Sequence, residues 1–249
     1  MSHLSMLHYT DSKANTTPLI LLHGAGGSHL HWSPRLRHAK DLRVIAVDLP
    51  GHGKSGGAGC GSIEDYAGWV VRWLDGWGIE KAIIGGHSMG GGIAQVLALD
   101  YAERVAGLVL VGTGAKLRVA QQILDGVKNN FAAMVEMIVE WSFAPSTPPQ
   151  VKQLARQRMM DVNPDVLWND FNACNNFDVI ARVNQIKAPT LIMVGSADKM
   201  TPEKFSRSLA EQIEGSQLKV FAEAGHMLTL ERMEEVTEEV RGWMLEVGS

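Results

Sequence analysis

The sequence of 249 residues has few cysteines, little net charge and no long apolar run. Its two cysteines, Cys60 and Cys174, lie far apart and fit neither a disulfide framework nor a zinc-ligand motif, and free thiols suit a reducing compartment. No stretch approaches the roughly 18 apolar residues of a membrane span, and residues 1–18 lack the apolar core of a secretion signal. We therefore expect a cytoplasmic protein that does not act at a membrane.

The charge balance narrows the range of partners. The net charge is −4 at pH 7, which favours neither nucleic acid nor an anionic membrane surface as a partner. With 45% hydrophobic and 20% charged residues, the composition is that of an ordinary globular domain with a full core. We expect a small-molecule substrate as the partner, and the sequence defines no oligomeric state.

Short apolar runs alternate with helical patterns along most of the chain. The runs predict strands at Pro18–Leu22, Leu42–Val47, Lys81–Ile84, Val105–Val111, Pro189–Val194 and Gln217–Phe221, with a further edge strand at Met6–Thr10. Helical periodicity predicts helices at Ser62–Trp77, Met89–Tyr101, Glu203–Ile213 and Leu230–Val247. Continuous apolar runs are typical of strands covered on both faces, so we predict an α/β fold with a doubly wound, mostly parallel sheet.

The alternation stops between Gly114 and Lys187, where the pattern is helical throughout. Asn163 followed by Pro164 is typical of a helix start inside this segment. We predict a core formed by residues 1–114 and 187–249, with residues 115–186 inserted between two core strands as a helical cap. Eight large apolar residues of the insertion are candidates for a pocket lining, although we expect most of them to pack the cap helices together: Phe131, Met134, Met137, Trp141, Phe143, Met159, Met160 and Trp168.

Five glycines surround Ser88 in the run GGHSMGGG, which directly follows a predicted strand. A G-x-S-x-G motif between a strand and a helix is typical of a nucleophile elbow, a strained turn that exposes the serine hydroxyl at the C-terminal edge of the sheet. Gly86 and Gly90 occupy the positions where a side chain would collide with neighbouring backbone. The same letters also occur in ordinary glycine-rich turns with an incidental serine, so the motif alone does not decide.

Two further residues complete the set that a serine nucleophile needs. The hydroxyl requires a base and the base an orienting acid, and in this kind of fold they follow the serine in the order Asp or Glu, then His. Asp198 and His226 each come directly after a predicted strand. Taken singly, Asp198 would be a helix cap and His226 a loop histidine. Three correct residue types in the correct order, each at a strand end, predict a catalytic triad of Ser88, Asp198 and His226.

The developing negative charge of an acyl-transfer reaction requires two backbone N–H donors. One belongs to the residue after the nucleophile, here Met89, and the other to the loop after an earlier strand. The run LLHGAGG, residues 21–27, is that loop, and we predict Ala25 as its donor in preference to Gly24 or Gly26. A plain glycine turn is the alternative interpretation of this run.

Together these segments resemble the α/β-hydrolase superfamily over nearly the whole chain. In chain order, the sequence is similar to the family's oxyanion loop, the loop after the following strand, the elbow, the acid loop and the histidine loop, at HGAGGSHLHW, DLPGHGKS, GHSMGG, GSADKMTP and GHMLTLE. The resemblance implies the α/β-hydrolase fold with a helical cap and a serine carboxylesterase-like or lactonase-like activity. One departure is Met233, where relatives often have proline at a helix start.

Motifs for cofactors and metals are incomplete. GHGKS is similar to the end of a phosphate-binding loop, but Asp48 stands where the first glycine is required. GAGGSH begins like a dinucleotide-binding motif, but it ends at His29 instead of glycine. His29 and His31 form an H-x-H pair with no evident third ligand. We expect no cofactor and no metal.

Single positions narrow the reaction that the resemblance implies. Ser88 stands where dehalogenases and epoxide hydrolases of this fold have aspartate, Met227 where related hydroxynitrile lyases have lysine, and Gly92 where the menaquinone-pathway synthase has arginine. Acyl transfer to water through an acyl-serine remains. We expect hydrolysis of a carboxylic ester with a small to medium, largely apolar acyl group.

Several alternatives stay open. Hydrolysis of a lactone or enol-lactone, hydrolysis of a carbon–carbon bond and perhydrolysis use the same triad, and NACNNFDV, residues 172–179, is similar to the cap exit of lactonase-like relatives. A different class is a small-molecule receptor that hydrolyses its ligand slowly. Catalytic turnover separates a receptor from an enzyme.

Overall fold

A single seven-stranded sheet organises the computed structural model, which describes residues 7–247. The strands are β1 Tyr9–Asp11, β2 Leu19–Leu22, β3 Val44–Val47, β4 Ala82–His87, β5 Val105–Val111, β6 Thr190–Gly195 and β7 Gln217–Phe221. Their spatial order is β1-β3-β2-β4-β5-β6-β7, with β1 antiparallel to β3 and every other pair parallel. The predicted α/β class with a mostly parallel sheet is confirmed.

Helices cover both faces of the sheet. They are α1 Pro34–Arg37, α2 Ile63–Gly76, α3 Met89–Asp100, α4 Gln121–Asn129, α5 Phe131–Ser142, α6 Pro149–Met160, α7 Pro164–Asn176, α8 Glu203–Gln212, α9 Leu228–Glu231 and α10 Met233–Val247. Alternate residues of β2 enter two different apolar clusters, Ile20 with α2 and α3, Leu19 with α1 and α10. Burial on both faces explains why the strands are apolar runs without alternation. Within residues 7–247, no helix combines the length and the apolarity needed to cross a bilayer.

Three predictions about elements need correction. β7 is an edge strand whose Gln217, Lys219 and Val220 are exposed, so it is not covered on both faces. The helix predicted at Leu230–Val247 is two helices, because the chain leaves helical geometry at Arg232, with φ −127° and ψ 50°. The edge strand predicted at Met6–Thr10 is β1, but it begins only at Tyr9 and ends at Asp11, and Met6 lies outside the described residues.

Four helices, α4–α7, lie between β5 and β6, in the segment for which the sequence predicts a cap. α4 packs against α5 and α7, and α5 packs against α6. The apolar residues of these helices also contact two core loops, at Ala25 and Met227. We keep residues 115–186 as a proposed cap that rests on the loops at the C-terminal edge of the sheet.

Candidate active site

Ser88 lies in a strained turn between β4 and α3. Its backbone has φ 53° and ψ −115°, a left-handed φ that side chains other than glycine rarely adopt. A Cβ atom on Gly86 would overlap the carbonyl group of Gly90, and one on Gly90 would overlap the carbonyl group of Leu22 in β2. Glycine is required at both positions because the strand, the turn and the helix approach so closely. This geometry is the sharp elbow that the G-x-S-x-G pattern predicts.

Asp198 and His226 form a buried hydrogen-bonded pair at the ends of β6 and β7. His226 Nδ1 lies 2.8 Å from Asp198 Oδ2, and each side chain is at least nine-tenths buried. Thr201 donates to the same carboxylate twice, from its backbone N–H to Oδ1 at 2.8 Å and from its hydroxyl to Oδ2 at 2.8 Å. Burial alone would raise the pKa of Asp198, but the charge and hydrogen bond of His226 and the bonds from Thr201 lower it below its usual value.

Ser88 and His226 line one cavity, but their side chains are not joined directly. Among residues 7–247, no hydrogen bond links the Ser88 hydroxyl to the His226 imidazole. Contacts of this kind are often long in ligand-free structures and shorten when substrate binds. The structure therefore brings the three predicted residues to the same edge of the sheet and connects two of them by a hydrogen bond.

Ala25 lies in a tight turn that follows β2. The turn is closed by Gly27 N–H donating to Gly24 O at 3.1 Å, and Gly26 has φ 61°. His23 braces it, since Nε2 accepts from Leu49 N–H at 3.0 Å and Nδ1 therefore carries the hydrogen that it donates to Gly24 O at 2.8 Å. Burial lowers the pKa of His23 to about 3, which keeps the ring in this neutral form.

Met89 is the first residue of α3 and is completely buried. The first N–H groups of a helix have no intrahelical partner, so Met89 N–H is free to face a bound oxygen. In the part of the chain that the structure describes, Ala25 N–H has no backbone acceptor either. Both predicted oxyanion donors are thus available, Ala25 N–H in the turn after β2 and Met89 N–H at the start of α3.

Two cavities of about 400 and 410 Å³ meet at Ser88. Ala25, Ser88, Phe171 and Met200 line both of them. The first is walled mainly by apolar side chains, among them Leu117, Ile123, Trp141 and Phe205. The second contains His226 together with three further imidazoles, His31, His52 and His87. Of the eight apolar candidates in the insertion, Trp141, Phe143 and Met159 line one of these two cavities, and the other five line neither.

Known proteins share both the sequence pattern and this architecture. The sequence model of the α/β hydrolase fold family matches residues 17–232. The chain belongs to that family. A solved thermophilic esterase is 32% identical to this hydrolase, with a TM-score of 0.86 and coverage of 98% of this chain and 99% of that one. A malate-bound thermophilic esterase from Thermogutta terrifontis is 26% identical, with a TM-score of 0.89 and coverage of 98% and 94%.

A curated relative of this chain is named for a substrate other than an ester. The 2-hydroxy-6-oxononadienedioate/2-hydroxy-6-oxononatrienedioate hydrolase of Paraburkholderia phymatum is 32% identical over 253 residues, covering 92% of this chain and 87% of that protein. The predicted membership of the α/β-hydrolase superfamily is confirmed, and the chain is an enzyme of this hydrolase family.

Histidine rings form a continuous floor beneath the second cavity of the hydrolase. Ring centroids lie 4.6 Å apart for His226 and His87, 5.9 Å for His87 and His31, 6.1 Å for His31 and His23, and 4.8 Å for His23 and His52. Burial, with repulsion from neighbouring imidazoles, lowers the pKa values of His31 and His87 to about 3. Near His226 the floor is therefore polar but uncharged at His31 and His87.

Three side chains of types that can bind a metal ion, His8, His29 and Asp48, also lie together away from the predicted triad. The Asp48 carboxylate accepts hydrogen bonds from His8 Nδ1 at 2.9 Å and from His29 Nδ1 at 2.7 Å, and backbone N–H groups of His29 and Lys54 donate to it. Although the three side chains are close enough to hold a metal ion, direct hydrogen bonds already satisfy them. We interpret the cluster as a structural link between the loops after β2 and β3, and His31 takes no part in it.

Sequence reasoning missed several residues of the site. Thr201 lies within the acid loop, but its bonds to Asp198 depend on how that loop turns. His87 fills the variable position of the G-x-S-x-G motif directly before Ser88, and this position is the only sequence signal for its presence in the site. Asp170 lies on α7 and contacts the oxyanion loop through Gly26 N–H at 2.8 Å, which no local pattern indicates.

Proposed function

We propose that the protein hydrolyses a carboxylic ester through an acyl-serine intermediate on Ser88. The observation that carries this proposal is the buried Asp198–His226 pair, which opens on a cavity that Ser88 also lines. An imidazole held by a carboxylate near a strained, partly buried serine that lines the same cavity is the arrangement that activates a hydroxyl near neutral pH.

The proposed sequence of steps follows from the hydrogen bonds. Because His226 Nδ1 donates to Asp198, its Nε2 is left to take the Ser88 proton as Oγ attacks the carbonyl carbon. The N–H groups of Ala25 and Met89 hold the oxyanion, each donor contributing about 3–4 kcal/mol. The imidazolium then gives its proton to the departing alcohol. Water, deprotonated by the same ring, releases the acid.

The two cavities suggest how an ester would lie. We assign the acyl group to the first cavity, because most of its lining is apolar although Lys116, Arg118 and Lys199 also line it. The alcohol side then occupies the second cavity beside His226, which must protonate it as it leaves. Such a substrate has a carbonyl carbon at the junction and an arm on either side.

Hydrolysis of p-nitrophenyl esters of increasing acyl length tests the proposal. We expect wild-type turnover with an optimum at a chain length set by the first cavity. Ser88→Ala should lower kcat by at least about 10³-fold, because the residual rate would come only from binding and the oxyanion donors. Ser216→Ala, a serine outside both cavities, is the matched control and should keep wild-type kcat. A Ser88→Ala enzyme with undiminished kcat would refute the acyl-serine.

Hydrolysis of a carbon–carbon bond is the second candidate, favoured by the 32% identity to the Paraburkholderia phymatum hydrolase. The same triad and oxyanion donors would serve a vinylogous diketone acid. Loss of the dienol absorbance of a 2-hydroxy-6-oxo-dienoate with purified enzyme, combined with no turnover of any p-nitrophenyl ester, would decide for this candidate. Lactone hydrolysis, perhydrolysis and slow receptor-like turnover are the remaining alternatives.

A further inference from the structure

Asp170 is a carboxylate in the interior of the molecule. It lies on α7 and is completely buried. Moving a charge out of water is costly unless hydrogen bonds and an opposite charge replace the lost hydration. A buried carboxylate on a helix of the proposed cap therefore needs hydrogen-bond donors and an opposite charge close to it.

Three donors satisfy Asp170, and each comes from a different segment of the core. Gly26 N–H of the oxyanion loop donates to Oδ2 at 2.8 Å. His52 Nε2, from the loop after β3, also contacts Oδ2, at 2.7 Å. The Tyr66 hydroxyl of α2 donates to Oδ1 at 2.6 Å. One side chain of the insertion thus joins three core segments.

His52 supplies the opposite charge. Its Nδ1 lies 2.9 Å from Pro50 O, which can only accept, so both ring nitrogens carry hydrogens and the ring is an imidazolium. Burial alone would lower the pKa of His52, but the Asp170 charge and hydrogen bond raise it above its usual value. Burial and the Asp170 charge raise the pKa of Tyr66, so its hydroxyl stays a donor.

The oxyanion loop contacts both this ion pair and a second side chain of helix α7. Gly26 has φ 61°, and a Cβ atom there would lie 2.6 Å from Leu167 Cδ1, one turn before Asp170 on the same helix. The Gly26 N–H that Asp170 binds belongs to the peptide that directly follows Ala25. Phe171, the next residue of α7, lines both cavities. Helix α7 therefore contacts the loop from above at the point where the loop faces Ser88.

We propose that Asp170 is a positioning residue: it fixes the Gly26 peptide and so directs Ala25 N–H at the substrate oxygen. The role rests on the proposed function, because Ala25 N–H matters only if Ser88 attacks a carbonyl group. His52 and Tyr66 hold the carboxylate in place for this task. Asp170 acts through the loop and does not touch the reacting atoms.

The decisive variant is Asp170→Asn, which keeps the shape and removes the charge. We expect kcat for the best p-nitrophenyl ester to fall about 10- to 100-fold, somewhat less than the loss of a complete oxyanion donor, with KM within threefold. Affinity for a trifluoromethyl ketone of the same acyl length should fall by the same factor as kcat/KM. In that adduct Ser88 Oγ bonds to the ketone carbon, His226 takes the proton, and the oxyanion needs the same donors.

Val70→Ala is the control for stability alone, since Val70 is a fully buried residue on α2 that lines neither cavity. It should lower the midpoint of thermal unfolding and leave kcat and the ketone affinity unchanged. Should Asp170→Asn not fold, Leu167→Ala replaces it, because that change loosens the same loop without altering a charge. We expect kcat to fall three- to tenfold with little change in KM.

A folded Asp170→Asn enzyme whose kcat and ketone affinity stay within twofold of wild type overturns the proposal, as does an unaffected Leu167→Ala enzyme. These comparisons of variant with wild-type enzyme test the positioning role, and the proposed function has a separate test. If wild type turns over no ester, or if Ser88→Ala is fully active, the acyl-serine itself fails, whereas an active wild type with an indifferent Asp170→Asn removes only the positioning role.

Discussion

The Asp198 carboxylate accepts four hydrogen bonds within a few ångströms of the proposed base. They come from the N–H groups of Met200 and Thr201, the Thr201 hydroxyl and His226 Nδ1. Only a carboxylate that stays ionised can accept all of them, which agrees with its lowered pKa. Orientation of the imidazole therefore depends on Thr201 as well as on the acid.

Thr201→Val removes one of these donors without changing the size of the side chain. Because hydrogen bonds to charged groups contribute about 1.5 kcal/mol or more, we expect kcat/KM to fall about tenfold. The pKa of Asp198 should move up toward its usual value. Steady-state kinetics with a p-nitrophenyl ester measure the loss. Thr201→Ser keeps the hydroxyl and should retain activity, so equal rates for the valine and serine variants would contradict the role.

Residues differ in how far the sequence alone can reveal them. Ser88, Asp198 and His226 each follow the end of a strand within five residues, so a local pattern locates them and the parallel sheet brings them to one edge. Asp170 has no such pattern, because its donors lie 144, 118 and 104 positions away along the chain. Contacts of that range depend on how the helices between β5 and β6 pack, which hydrophobic periodicity does not specify.

At the scale of elements, glycines explain why the strand β4 is longer than its apolar run predicts. The apolar run predicted an end at Ile84, yet the strand continues to His87, because Gly85, Gly86 and His87 keep pairing with β5. Glycines there weaken the strand signal, while the close approach of α3 requires them. β5 and β7 have the predicted bounds.

Two glycine-to-alanine changes should have opposite effects on stability. In Gly86→Ala the new methyl group overlaps the backbone of Gly90, so we expect a loss of about 3 kcal/mol or more in the free energy of unfolding. In Gly242→Ala the methyl group meets nothing within 4 Å in helix α10, and helix propensity predicts a gain of about 0.5–1 kcal/mol. Urea unfolding measures both. Equal effects would contradict the close packing of the elbow.

At the scale of the whole molecule, buried histidines link stability to pH. His23, His31 and His87 have pKa values of about 3 in the folded chain against 6.5 in the unfolded one. The unfolded chain therefore takes up protons first, and their contribution is complete above pH 6.5 and lost as the pH falls toward 3. His52 has the opposite sign, because its raised pKa stabilises the fold at low pH and loses that effect as the pH rises through it.

We expect the free energy of unfolding to fall between pH 7.5 and pH 5.5. Each of the three histidines accounts for about 1.4 kcal/mol over that interval, and His52 offsets part of the sum, which leaves a decrease of about 2–4 kcal/mol. Urea titrations at the two pH values measure it. In His31→Gln the decrease should be smaller by about 1.4 kcal/mol. A protein equally stable at both pH values would show that these rings are protonated in the fold.

The left-handed backbone of Ser88 also bears on how such a scaffold changes its role over evolution. A non-glycine residue in that conformation costs about 1–3 kcal/mol, which glycine would not incur. Replacing the proposed nucleophile by glycine would therefore end the proposed acyl-serine hydrolysis and relieve the fold in one step, while both cavities keep their walls. On the proposed mechanism, the change from this enzyme to a ligand-binding protein without turnover is energetically downhill, so only a requirement for catalysis opposes it.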